Sequence, residues 1–402
     1  MSGRDYLHIW YETQLVATLF FVLVISGWEV YVGINQGYLM IFLGIIMVLG
    51  LIVSSLPAVP HWLELVNQGL QAIFQPLTLI MVWGIVTRQI IVRLHLPARG
   101  VVVLALLYYL IMFAPFASEI GGQFKWAATR IGYSFFWFLM IVDGITISLP
   151  VKFAGPPVIQ TIAASDVVGA LAFLITAITL MRAWKLAWPG LWPKFGWGWS
   201  WWTLAALIVI DLLFTVYNTV GGSIVKGLGH RLLDEGNILV AVSAAVSEEA
   251  LFRFVILTVL LLALRNTRWQ LGLAITSSAL LFGLAHLLNL TTQPLAITLY
   301  QVVGVTGIGL FFAIVFLYTG QLWLVILMHF LLDWFSFSVS GTTVMNGTPD
   351  WTNWLAVLVE LAMFALVTIW MLNGRRRVVI ERHANRLIGE DQHFGYRLDF
   401  RF

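Results

Sequence analysis

Residues 295–317 read LAITLYQVVGVTGIGLFFAIVFL, with no charged side chain among them. At about 1.5 Å of rise per residue, a helix over this stretch crosses the roughly 30 Å hydrocarbon core of a bilayer. Backbone polar groups find no water in that core, so a segment of this kind satisfies its own hydrogen bonds as a helix. Runs of the same character extend outward from it in both directions: 15–33, 38–56, 70–86, 100–116, 131–149, 167–181, 201–220, 238–264 and 270–290 before it, 322–339 and 354–372 after it. The reading is an all-α, polytopic transmembrane helix bundle of about 11–12 spans.

Composition agrees. The 402 residues are 60% hydrophobic and 10% charged, whereas a soluble domain is roughly 45–50% apolar and about 25% charged. A net charge of +3, dispersed along the chain, makes no patch for nucleic acid, and the expected surroundings are a lipid bilayer. There is no cysteine, which excludes disulfides, thiolate metal sites and a cysteine nucleophile. The polar opening leads into a full-length apolar run without a small-residue cleavage pattern, so the first span is expected to stay in the protein.

Seven tryptophans, Trp184, Trp188, Trp192, Trp197, Trp199, Trp201 and Trp202, crowd the junction between two runs together with Pro189 and Pro193. They read as an interfacial belt and as the best division of the chain. The expected organisation is a transmembrane region over 1–200, a helix bundle over 201–340, a last span over 341–372 and a polar, basic tail over 373–402. The arginines 375, 376, 377, 382 and 386 place that tail in the cytoplasm, and counting back puts Arg265 and Arg268 on the same side. The same count puts Arg88, Arg93 and Arg99 outside, so either one segment between 100 and 164 does not cross or that loop breaks the rule. A multi-pass protein of a bacterial plasma membrane is the expectation.

Ionisable groups inside spans are costly and mark function. Asp143, Asp211, Glu248, Glu249, Arg253, His286, His329, Asp333 and Glu360 all stand within runs, and six of them lie between 248 and 333. Glu249 and Arg253 are four residues apart, close to one helix face, and can pair internally. Glu248 points about 100° away and has no local partner, which suits a group that takes a proton from water and returns it. His286 lies near the end of its run, behind Gly283, a small residue that lets helices approach. His329 and Asp333 share a face, so that the carboxyl orients the imidazole or both address one substrate atom. Measured from the span ends opposite Arg265 and Arg268, Glu248, His286, His329 and Asp333 lie at similar depths, roughly 6–15 Å in. Two carboxylates and two imidazoles in one layer are candidates for acid–base chemistry or for a metal. Two His and one Glu form a known catalytic zinc set, which would be His286, His329 and Glu248.

Glu248-Glu249-xxx-Arg253, Phe282-xxx-His286 and His329-xxx-Asp333, in this order on successive apolar segments, resemble the three motifs of the CPBP family of CAAX proteases and bacteriocin-processing enzymes. The resemblance covers about 238–338. It implies an intramembrane endopeptidase, glutamate-dependent or metal-dependent. In this family's pattern Glu248 activates water with help from His286, while His329 and Asp333 stabilise the oxyanion. Glu249, Arg253 and Phe282 support the geometry. The third motif admits Asn or Asp at its end, and an Asp donates to an oxyanion only when protonated. The implied substrate is a peptide or protein, prenylated or membrane-anchored among the choices, and no cofactor is required beyond the zinc alternative.

Other intramembrane proteases match less well. No His-Glu-xx-His run is present, no Gly-x-Ser stands near His286, and Gly227-Leu228-Gly229-His230 ends in His where the aspartyl type requires Asp. Two further readings stay open from residues alone: a proton- or solute-coupled transporter using the intramembrane ionisable groups, and a non-catalytic scaffold of the same fold. No copy of the Glu-Glu-xxx-Arg segment appears in the first half, as the repeats of many transporters would require.

Overall fold

The computed structural model describes residues 3–149, 157–190, 199–220 and 231–389. Trp192, Trp197, Gly227 to His230 and the tail beyond Gly389 lie outside the described residues. Among the described residues every regular element is a helix. The chain divides into two compact units, one over Met1–Trp184 and one over Lys185–Leu398.

The first unit contains α1 (Gly3–Tyr31), α2 (Gln36–Ser55), α3 (His61–Arg93), α4 (Ala98–Ile111), α5 (Ala114–Glu119), α6 (Ala127–Val142), α7 (Gly144–Ser148), α8 (Pro157–Ala164) and α9 (Val167–Ala183). Val22, Met40, Leu43 and Val82 join α1, α2 and α3 in one buried cluster. Buried aromatic groups need acceptors for their polar ends, and they find them in the backbone. Trp137 donates to the carbonyl of Ala72 at 2.7 Å, and Tyr109 donates to that of Ile141 at 2.8 Å. α9 runs so close to the end of α6 that a Cβ on Gly169 would strike the carbonyl of Val142.

The second unit contains α10 (Trp201–Val220), α11 (Glu235–Glu249), a π-helical segment (Ala250–Ile256), α12 (Leu257–Ala263), α13 (Gln270–Ala285), a 3₁₀ turn (His286–Thr291), α14 (Leu295–Thr319), α15 (Leu322–Ser340), α16 (Trp351–Met371) and α17 (Gly374–Leu387). α14 is the axis. Every residue over 307–319 is buried, as expected of a helix that is apolar all round. Small residues bring its neighbours near: the ideal Cβ of Gly309 lies 3.2 Å from the Cα of Ala279 on α13, and that of Gly307 lies 3.2 Å from the Cα of Leu361 on α16.

Eight of the twelve runs fall on helices long and apolar enough to span a membrane: α1, α2, α3, α4 with its continuation to Gln123, α13 with the 3₁₀ turn to Thr291, α14, α15 and α16. The other four are shorter or interrupted. α6 and the described part of α10 are short apolar helices, and α8 and α9 form a pair bent by 48°. The run over 238–264 is broken by the π segment and carries the Glu-Glu-xxx-Arg group. The tryptophan belt is divided in its roles. Trp184 is buried in the first unit and donates to the carbonyl of Gly121 at 2.8 Å, Trp188 packs edge-on against Phe254, and Trp201 and Trp202 are exposed.

The segment after the last span, read above as a polar tail, is an amphipathic helix seated on the second unit. Val379, Ile380, His383, Ala384 and Leu387 form its buried face, while Arg375 and Arg377 stay exposed. The Nδ1 of His383 donates to the carbonyl of Leu317 at 2.7 Å, and the carbonyl of Leu387 accepts from the Ala187 N–H at 2.9 Å. The high arginine content masks this apolar stripe when composition alone is read.

Burial, reinforced by the neighbouring Arg386 guanidinium, pushes the His383 imidazole from 6.5 down to about 4. An undocked α17 therefore takes up a proton that the docked helix refuses. Docking is at full strength above pH 6.5 and loses about 3 kcal/mol as the pH falls to about 4. Because the chain has no native cysteine, a nitroxide on Val378→Cys reports this directly. Its mobility is expected to rise across that pH window in the native background and to stay low in His383→Gln; a pH-independent spectrum in the native background would refute it.

Candidate active site

The site is built from the end of α11, the π segment, the end of α13 and the middle of α15. Glu248 and Glu249 are the last two residues of α11, and the helix widens to π geometry immediately after them. The extra residue per turn changes the register of the side chains, a local departure often found at functional positions. The carbonyl of Phe252, inside this segment, accepts from the Leu257 N–H and also from Ser278 Oγ at 2.8 Å, which ties the widened turn to α13.

Arg253 and Glu249 have no exposed side-chain surface, and their Nε and Oε2 stand 3.1 Å apart. The ion pair expected from their spacing is present. It is close without being aligned, since among the described residues none of the three guanidinium nitrogens makes a hydrogen bond. Aromatic faces supply the rest: the guanidinium carbon is 4.3 Å from the ring centre of Phe282 and 5.7 Å from that of Phe312. Such contacts are strongest when water is excluded.

Glu249 has a second partner, invisible to local spacing because it comes from a helix distant in sequence. Its Oε1 accepts from His329 Nδ1 at 2.8 Å. With Nδ1 committed, the ring turns Nε2 toward Asp333 Oδ2 at 3.4 Å and Glu248 Oε2 at 3.9 Å. His329 is nearly buried, with 7% of its side chain exposed, whereas Glu248 and Asp333 keep 22% and 21% exposed. The structural charges are thus sealed, and the two carboxylates beyond the imidazole reach the protein surface.

His286 caps α13 and starts the 3₁₀ turn. Its Nδ1 donates to the carbonyl of Phe282 at 3.0 Å, which leaves Nε2 as the acceptor nitrogen in the neutral ring. It lies within electrostatic reach of Glu248. Phe282 is the shared wall, with its ring centre 5.3 Å from that of His286 and 6.0 Å from that of His329. The approach of α13 to α14 that sets this wall depends on Gly283, where a Cβ would collide with Thr306 Oγ1 and come within 2.8 Å of the Val302 carbonyl.

All seven residues singled out from the motifs are therefore brought together. Among the described residues no three His, Cys, Asp or Glu side chains are disposed to hold a metal ion, so the zinc alternative at His286, His329 and Glu248 finds no preformed ligand set here.

One ionisable group noted in the sequence but left out of the motif set belongs beside this cluster. Asp211 on α10 is 1% exposed, its Oδ1 has no hydrogen-bond partner among the described residues, and it lies within electrostatic reach of His329. α10 packs against α15. The signal available beforehand was its charge in an apolar run; what it faces was decided by packing.

Ionisable groups drawn from several helices of one membrane bundle thus meet at a single site. Residues 236–335, about a quarter of the chain, match the family model described as Type II CAAX prenyl endopeptidase Rce1-like. Over that stretch the second unit is similar to the CAAX proteases, which supports a CAAX-type endopeptidase in general, and eight helices among the described residues long and apolar enough to cross a bilayer make the chain an integral, multi-pass membrane protein. Comparisons with curated proteins and with solved structures gave no match.

Removing Glu249 leaves a guanidinium uncompensated in a sealed interior. Glu249→Ala is expected to destabilise the protein by about 3–5 kcal/mol, read as a large fall in the unfolding midpoint in detergent. Glu248→Gln, at a partly exposed position, is expected to shift that midpoint by no more than the effect of a surface substitution. Equal losses in both variants would contradict the division between a sealed and a partly exposed carboxylate.

Proposed function

We propose that the second unit, with its catalytic bundle over 201–340, hydrolyses a peptide bond using water activated by Glu248. The observation that carries this reading is the convergence of Glu248 and Asp333 on His329 Nε2, at 3.9 and 3.4 Å, at the partly exposed edge of an otherwise sealed charge network. Glu248 takes a proton from a water molecule, and the oxygen of that water attacks the scissile carbonyl carbon. His286, with Nδ1 held by a backbone carbonyl, presents Nε2 to orient the same water.

Charge develops on the former carbonyl oxygen in the tetrahedral intermediate. His329, fixed through Nδ1 by Glu249, offers a second N–H from Nε2 as an imidazolium, and Asp333 stands 3.4 Å from that nitrogen as its partner at the oxyanion position. The C–N bond then breaks, the proton held by Glu248 passes to the leaving amine, and the free carboxylate is restored. Glu249, Arg253 and Phe282 act as positioning residues. The substrates best suited to a site set into a helix bundle are peptides held at the membrane, prenylated or otherwise anchored. The basic segment after the last span favours a cytoplasmic C-terminus, in a bacterial plasma membrane.

The test uses the purified full chain in detergent with fluorogenic peptides, prenylated ones included, in the presence and absence of a chelator. Wild type is expected to cleave, with Glu248→Gln and His286→Ala each lowering kcat by at least about 100-fold while unfolding at the native midpoint. Asp333→Asn, which keeps a side chain of the same size with an amide donor beside His329, is expected to retain activity. Retained cleavage in both Glu248→Gln and His286→Ala would defeat the mechanism, and loss of cleavage on chelation would transfer water activation to a metal.

A further inference from the structure

The first unit contains a cavity of about 460 Å³ between α1, α3 and α4. Its walls are predominantly apolar, with Phe21, Leu79, Ile90 and Leu96 among the lining residues and Gln14 and Tyr108 at one end. It is open rather than enclosed: Phe21, Leu96, Leu104 and Tyr108 of its lining are exposed, so its apolar walls face outward from the bundle, where lipid is the neighbour. α1, α3, and α4 with its continuation to Gln123, are long and apolar enough to span the membrane.

The cavity has a direction. Along α3 it runs from Leu79 to Ile90, about 16 Å at the helical rise per residue. That matches one leaflet's share, about 15 Å, of the hydrocarbon core. The inner end is closed by Gln14, whose amide is tied to the Met112 carbonyl at 2.9 Å. The outer end reaches Leu96 in the connection between α3 and α4.

That connection is the basic stretch whose side of the membrane conflicted with the charge count. From residue 88 to residue 99 the sequence holds Arg88, Arg93, His95 and Arg99 with no acid. Arg93 and Arg99 are exposed. The Arg93 guanidinium lies 4.5 Å over the ring of Trp28 and its Nε donates to Gln89 at 2.7 Å, an arrangement of cation and indole suited to the headgroup level. Glu29, the next residue after Trp28, packs its Cβ near Gly37 of α2.

We propose that α1, α3 and α4 bind the acyl chain of an anionic phospholipid in this cavity, with its phosphate on Arg93 and Arg99. The chain supplies the dispersion contacts that the cavity walls lack, and the two arginines recognise the charged head. The inference is independent of the protease reading.

The experiment reconstitutes the full-length protein in nanodiscs of equimolar phosphatidylglycerol and phosphatidylcholine of identical acyl chains. The protein is then released into detergent, and retained lipid is counted by native mass spectrometry. Wild type is expected to retain one phosphatidylglycerol in preference to phosphatidylcholine. Arg93→Gln with Arg99→Gln is expected to lower that preference about tenfold while a lipid is still retained. Ala105→Phe and Ala17→Trp, which fill the cavity from different walls, are expected to abolish retention of both lipids. Should either variant fail to insert or lose its helical circular dichroism, the other carries the test. Equal retention of the two lipids by wild type, or undiminished retention in the folded cavity-filling variants, would overturn the proposal. Displacement by a farnesyl-cysteine methyl ester that leaves added phosphatidylglycerol unable to compete would also overturn it, in favour of a prenyl occupant.

Discussion

A guanidinium group without access to water is the constraint around which the second unit is organised. Taking such an ion out of water costs several kcal/mol even after relaxation, so Arg253 persists only because its surroundings compensate it. Glu249 stands at 3.1 Å, and the faces of Phe282 and Phe312 cover the planar cation. Glu249 cannot be spared from this role, and its second oxygen holds His329. The imidazole orientation is therefore a consequence of how a buried charge is balanced. A helix change at α15 that moved His329 would leave Glu249 underpartnered, and a change at Glu249 would strand Arg253.

This coupling separates two kinds of carboxylate in adjacent residues. Glu249 is sealed and serves structure, while Glu248 reaches the surface and faces His329 Nε2 across 3.9 Å. A regular α-helix alone sets neighbouring side chains about 100° apart. The π segment that follows, tied through Phe252 to α13, keeps Arg253 inside while the helix proceeds along the bundle. Phe282 then serves as a common wall for both imidazoles and for the cation. Its position depends on the approach of α13 to α14 permitted by Gly283. Steric demands at a glycine and electrostatic demands at an arginine thus converge on one ring.

The two units differ in what they bury. The second concentrates ionisable groups along a few helices around α14, and the segment after its last span returns as α17 to cover the end of that axis. In the first unit the buried Trp137 indole and Tyr109 phenol are satisfied by backbone carbonyls, a pattern that stabilises a bundle without reactive chemistry. Its cavity and its arginine-rich connection instead suit a molecule of the membrane itself.

Membrane insertion, the helical class and the membership of the chemical cluster were legible in the sequence. Hydrocarbon thickness and the absence of water turn a long apolar run into a helix, and ionisable residues in such runs stand out against a background of 10% charge. The Glu249–Arg253 pair was legible too, because both partners lie on one local stretch. The hydrogen bond between Glu249 and His329, the nearness of Asp211 to His329, the docking of α17 and the continuity of each span required the tertiary structure. These depend on which helix faces meet, and a pattern of residues along one helix carries no information about the rotation and depth of its partner.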